Sequence, residues 1–137
     1  MQDYRRLRVW RKAHVLTLSI RRTANGFPRA GYSSLRGQII RAAESIACNI
    51  VEGCGASSQK ELARFLEISI KSTLELEYQL RLAKDYEIVQ HRSWQALTNA
   101  TIEVRRMLYG LRSKVLGSEP SASSVTDQLN DGSTGNP

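Results

Sequence analysis

Apolar residues recur along this chain at steps of three and four, the spacing that gathers them on one face of an α-helix. Val9, Ala13, Leu16, Ile20 and Ala24, with Phe27 just beyond, predict a first helix over residues 7–25. Asn25-Gly26 stops it, and Pro28 prevents its resumption. Leu35, Ile39, Ala42, Ala43, Ile46 and Ile50 predict a second helix, with Ser33 or Ser34 as its cap and a left-handed glycine expected within Gly53-Cys54-Gly55. The third stripe is Leu62, Phe65, Leu66, Ser69, Thr73, Leu76, Leu80 and Ala83. Ser57 or Ser58 opens it, and Glu61 follows Ser58 at the capping-box spacing. The fourth is a heptad, Leu97, Thr101, Val104, Leu108, Leu111 and Val115, starting near Ser93 and ended by Gly117. No segment alternates with the period of a strand. Short connectors make consecutive helices antiparallel, so the expected fold is an all-α, up-down-up-down four-helix bundle.

The stripe stops at Gly117, which divides the chain into a bundle over residues 1–117 and a tail over 118–137. The tail is rich in Ser, Gly and Asn and carries Glu119, Asp127 and Asp131 with no basic residue, so it is expected to be disordered and acidic. No run approaches the ~20 apolar residues of a membrane span, and residues 1–8 are polar, so a cytoplasmic address without membrane contact is expected.

Charge changes the picture. Residues 1–41 hold ten basic residues against one acid, Asp3, whereas residues 42–137 hold ten against twelve. The basic excess lies wholly in the first third, which suits a polyanionic partner such as RNA or DNA. Arg5, Arg6, Arg8, Arg11, Lys12, Arg21, Arg22, Arg29, Arg36 and Arg41 are the candidate phosphate contacts. Few aromatic groups interleave with them, so base stacking is not expected. An acidic protein is the alternative partner for the same face.

The first helix also carries apolar groups away from its stripe. Val15 and Leu18 fall opposite it, flanked by Arg8, Arg11 and Arg22, and Trp10 lies between the two faces. Scattered surface apolar groups are common. A helix apolar on two sides, however, usually has two neighbours, so Trp10, Val15 and Leu18 are candidates for an interface between subunits. A polar line on the second helix includes Arg41, Ser45, Asn49 and Glu52. With a glutamate of the third helix such as Glu75, it is either a solvated flank or a hydrogen-bonded cluster that sets register.

Catalysis needs convergent titratable groups. The only histidines are His14, mid-helix, and His91, expected in the loop before the fourth helix. No Glu-x-x-His, P-loop or nucleophile-elbow motif is present, and Cys48 and Cys54 are six apart on different helix faces. The expectation is a protein that is not an enzyme and uses neither metal nor cofactor.

One ordered set of residues has a family counterpart. It runs Leu7-x-Val9-Trp10-x-x-Ala13, then Arg41-Ala42-Ala43-x-Ser45-Ile46-x-x-Asn49-Ile50-x-Glu52-Gly53, then Phe65-Leu66, Ser72 and Leu74-Glu75-Leu76-Glu77. It resembles the bacterial four helix bundle protein family, also called the 23S rRNA intervening-sequence protein family, over about residues 4–116. The family includes the accessory variability determinant of diversity-generating retroelements. Many members have proline where this chain has Ala47, so the second helix is expected to be straighter here. The resemblance implies a ring-like homopentamer with a basic surface. It also implies, through the retroelement relatives, binding of nucleic acid without base specificity.

Overall fold

Each apolar stripe forms one helix. The computed structural model describes residues 2–117. A 3-10 turn, Tyr4–Arg6, leads into α1 (Arg8–Asn25), α2 (Ser33–Cys54), α3 (Gln59–Asp85) and α4 (His91–Gly117), and no strand occurs among the described residues. The expected tail and the boundary drawn after residue 117 lie outside the described residues. Neighbours in sequence pack side by side, α1 also touches α4, and α1 and α3 occupy a diagonal. Paired residues run in opposite order along adjacent helices: Ser45 meets Ser72 while Ile46 meets Ser69, and Glu77 meets Arg105 while Glu67 meets Arg112. The bundle is therefore antiparallel, up-down-up-down.

Every stripe residue of α1 and α2 is buried, including Ile20, Ile39, Ile46 and Ile50 at 1 % exposure or less. Burying side chains of this size contributes roughly 1.5–3 kcal/mol each. In α3 and α4 only Phe65 and Leu111 of the expected stripes are half-buried, and Ala63, Ile70, Ser72 and Gln79 join the buried set. Among the described residues no helix is long and apolar enough to cross a membrane.

The helix ends depart from expectation in three places. Tyr32, not a serine, occupies the N-cap of α2 and makes no side-chain cap bond, so Ser33 and Ser34 are already helical. Ser34 Oγ instead accepts from Gln38 Nε2 at 3.3 Å, the one-turn partner a helical hydroxyl finds. Gly55 closes α2 at φ −90°, outside the left-handed region, because its N–H reaches back only three residues, to Glu52 O. His91 is the first residue of α4, not a loop residue. The cap of α3 is as expected, with Ser58 Oγ accepting from Glu61 N at 3.1 Å.

Two backbone sites are tight. The end of α3 closes with Ile88 N–H donating to Ala83 O and Glu87 N–H to Lys84 O, which requires Glu87 at φ 63° where glycine is usual. At Gly53 a Cβ would stand 2.8 Å from Leu62 Cδ1 and 3.1 Å from Phe65 Cβ, so the absence of a side chain sets how closely α2 and α3 approach.

Candidate functional site

The charge excess is a matter of which cations already have an acid. Arg5 Nε lies 3.0 Å from Asp3 Oδ1, and that contact holds the Asp3 carboxyl below its ordinary pKa. Lys12 Nζ is 3.6 Å from Glu103 Oε2, and Arg21 Nη1 is 3.9 Å from Glu44 Oε2. Arg36 is half-buried and donates to the carbonyl oxygens of Ala24, Phe27 and Pro28 at 3.2, 3.2 and 2.9 Å. Its guanidinium ties the end of α1 and the following loop to α2, which removes it from the candidate phosphate contacts. Arg36→Gln is expected to destabilise the fold by about 2 kcal/mol, since charged hydrogen bonds to carbonyls are lost. Urea denaturation would measure this, and nucleic-acid affinity under folding conditions should not change.

Six candidates remain: Arg6, Arg8, Arg11, Arg22, Arg29 and Arg41 are exposed and reach no carboxylate among the described residues. Arg11 donates to Arg5 O and Arg22 to Ser19 Oγ, neutral partners that leave the charge uncompensated. Arg41 folds back over Gly37, where a Cβ would meet its Nη1 at 3.3 Å.

Arg8, Arg11, Val15, Leu18 and Arg22 follow one another at steps of three and four, so they form a single outer ridge on α1 opposite the buried stripe. Val15 is 61 % and Leu18 47 % exposed, so two aliphatic groups stand in water between arginines. Trp10 does not belong to this ridge. It is turned roughly 100° towards α2 at the helix's turn per residue. There its ring stacks on His14 at 5.0 Å and meets the edge of Tyr4 at 4.9 Å. Trp10 and His14 wall a groove of about 360 Å³ between α1 and α2, with Ala47, Cys48 and Val51 along α2 and Glu44 and Glu52 also lining it. Cys48 is exposed, whereas Cys54 is buried and burial pushes its thiol pKa up, which disfavours the nucleophilic thiolate.

The expected polar line resolves into a smaller cluster. Ser45 Oγ and Ser72 Oγ share a hydrogen bond of 2.9 Å, Asn49 Nδ2 donates to Ser45 O at 2.8 Å, and Ser69 Oγ donates to Ile46 O at 2.8 Å. The two serine bonds link α2 to α3, whereas the Asn49 bond stays within α2. Arg41, Glu52 and Glu75 are exposed and stay outside the cluster, and no ion pair joins Arg41 to Glu75. Helix phase does not separate them, since Arg41, Ser45, Asn49 and Glu52 recur at steps of four, four and three on one face; the short Ser45 side chain reaches Ser72, while the longer charged groups extend to solvent. The shortest ion pair among the described residues, Arg105 Nη2 to Glu77 Oε1 at 2.7 Å, lies outside this cluster, and both positions flank apolar stripes on helices expected to be adjacent. Among the described residues no group of three or more His, Cys, Asp or Glu side chains could hold a metal ion.

Comparison with known proteins agrees with this architecture. The family described as 23S rRNA-intervening sequence protein matches residues 5–110. No curated protein matches the chain. A crystal structure of a protein of unknown function from the S23 ribosomal protein family of Bacteroides thetaiotaomicron is similar, with a TM-score of 0.72 at 24 % identity. That likeness covers 76 % of this chain and 97 % of the other, and at such identity it concerns the fold alone.

Proposed function

The chain belongs to the 23S rRNA-intervening sequence protein family, and on that premise we propose that it is a non-enzymatic, homo-oligomeric protein that binds RNA or DNA through phosphates, without base specificity. The observation that carries this reading is the set of six exposed arginines with no acid partner among the described residues, Arg6, Arg8, Arg11, Arg22, Arg29 and Arg41. Each is free to replace a condensed counterion on a nucleic-acid backbone. Assembly, a homopentamer by resemblance, repeats each charge around an axis and multiplies a modest patch into a strong field. Val15 and Leu18 supply the apolar part of the contact between subunits, with the long arginine side chains reaching out at its rim.

A second reading has its own observation. Aliphatic groups gain nothing from phosphates, so Val15 and Leu18 between Arg8, Arg11 and Arg22 also suit an acidic protein partner.

Fluorescence anisotropy of labelled duplex DNA, duplex RNA and hybrid, titrated at several salt concentrations, separates the two. The expected result is an affinity that ignores sequence and falls linearly in log–log form with salt. No binding at low salt would overturn the nucleic-acid reading in favour of the protein partner. Sedimentation of the free protein checks assembly, and a monomer at every concentration would remove it.

A further inference from the structure

A second groove, of about 570 Å³, lies at the opposite end of α3 from Glu87, between the first turns of α3 and the last turns of α4. Lys60, Arg64 and Arg112 line it, with Glu67 and the apolar Ala63 and Leu116. Its acids are already engaged: Glu61 Oε1 accepts from Ser57 N–H at 3.4 Å, and Glu67 stands 3.9 Å from Arg112. Two of its cations are unmatched among the described residues: Lys60 has no carboxylate partner there and Arg64 lies over the Phe65 ring at 4.7 Å, while Arg112, which faces Glu67 through Nη2, keeps a buried Nε with no hydrogen-bond partner. The α3 N-terminus beneath them adds positive potential.

We propose that this groove is a docking site for an acidic peptide, and that its occupant is the stretch of this same chain that follows Gly117. Three observations converge on that occupant. Leu116, the penultimate residue of α4, itself lines the groove, so the chain departs from its edge. Glu119 follows three residues later, and three residues of chain span at most about 10 Å, so the first carboxylate after α4 is tethered close to the groove edge that Leu116 forms. Residues 118–137 carry Glu119, Asp127 and Asp131 and no basic residue, against a folded part with ten more basic than acidic side chains. The carbonyl end of α4 also disfavours a carboxylate close behind it, and nearby cations offset that field. Tethering gives an effective concentration on the order of millimolar, so even a weak contact is substantially populated. The groove is then guarded by an internal competitor, and other acidic segments must displace it. This inference does not rest on nucleic-acid binding.

The test uses the full chain. In isotope-labelled protein at low salt, E119Q/D127N/D131N is expected to shift the side-chain Nε–Hε resonances of Arg64 and Arg112 and the backbone amides of residues 58–64. High salt should move the unmodified protein the same way. Shifts confined to residues beyond 117 would overturn the proposal. K60Q/R64Q, exposed substitutions that leave the core intact, should conversely shift the amide of Glu119, and an unmoved amide counts against docking. An oligoglutamate peptide is the external probe. It is expected to bind the neutralised variant about two- to tenfold more tightly than the unmodified chain, the gain when a tethered competitor is removed. Equal affinity would also overturn the proposal.

Discussion

Replacing Arg8, Arg11 and Arg22 together by glutamine is expected to lower affinity for duplex nucleic acid by on the order of a hundredfold at about 0.1 M salt. The magnitude comes from counterion release. Each phosphate neutralised contributes about 0.9 to the slope of log K against log salt, so three contacts remove close to three units of slope. The loss should be the same for unrelated sequences, because phosphate contacts position a protein without reading bases. These three arginines share one ridge of α1 and meet no carboxylate among the described residues, so no partner there is left behind by their removal. A Lys12/Arg21 double substitution is the matched control. Those cations already face Glu103 at 3.6 Å and Glu44 at 3.9 Å, so their loss should cost less affinity per charge. Stability should stay within about 0.5 kcal/mol, as for other exposed substitutions. Sedimentation of the triple variant then separates lost contacts from lost avidity. Unchanged affinity in a folded, assembled variant would move nucleic acid off α1 altogether.

The same ridge explains what was and was not legible in the sequence. The core was legible because burial in a bundle follows a period, and the stripe residues of α1, Phe27 just beyond it and the stripe residues of α2 all lie inside as the spacing requires. Charge asymmetry was legible as composition. The partner of each charge was not, since pairing depends on how two helices are rotated against each other. Arg36 reads as one more surface cation, yet the loop Gly26 to Tyr32 returns the chain so that its guanidinium meets three carbonyl oxygens of α1 and the loop. Glu77 and Arg105 find each other for the same reason, at 2.7 Å across α3 and α4. Trp10 lies between the two faces, as its position on the helix requires, and stacks on His14 beside α2, so Val15 and Leu18 alone stand on the outer ridge. Helix ends were legible where a side chain does the capping, as at Ser58, and illegible where backbone alone closes the turn, as at Tyr32, Gly55 and Glu87.

Leu66→Ala is expected to destabilise the bundle by about 2–5 kcal/mol, the largest stability effect of any single truncation discussed for this chain. Leu66 is fully buried in the middle of the core cluster, on a helix that packs against both α2 and α4. Truncation removes three carbon atoms from a site where two neighbouring helices would have to move inward to refill the space. They are held apart in register by Ser69 to Ile46 and by Arg105 to Glu77, bonds that would have to shift or break for the cavity to collapse. The cost should therefore lie in the upper part of that range. Leu74→Ala is the internal control: the same chemical change, on the same helix, at a residue 50 % exposed. It should cost well under 1 kcal/mol, because little apolar area is returned to water. Urea denaturation measures both, with an unchanged slope expected if folding stays two-state. Equal costs for the two leucines would mean that Leu74 is covered by something other than the described helices of its own chain. The experiment thus reads the core through Leu66 and, through Leu74, whether the outer face of α3 is covered in solution.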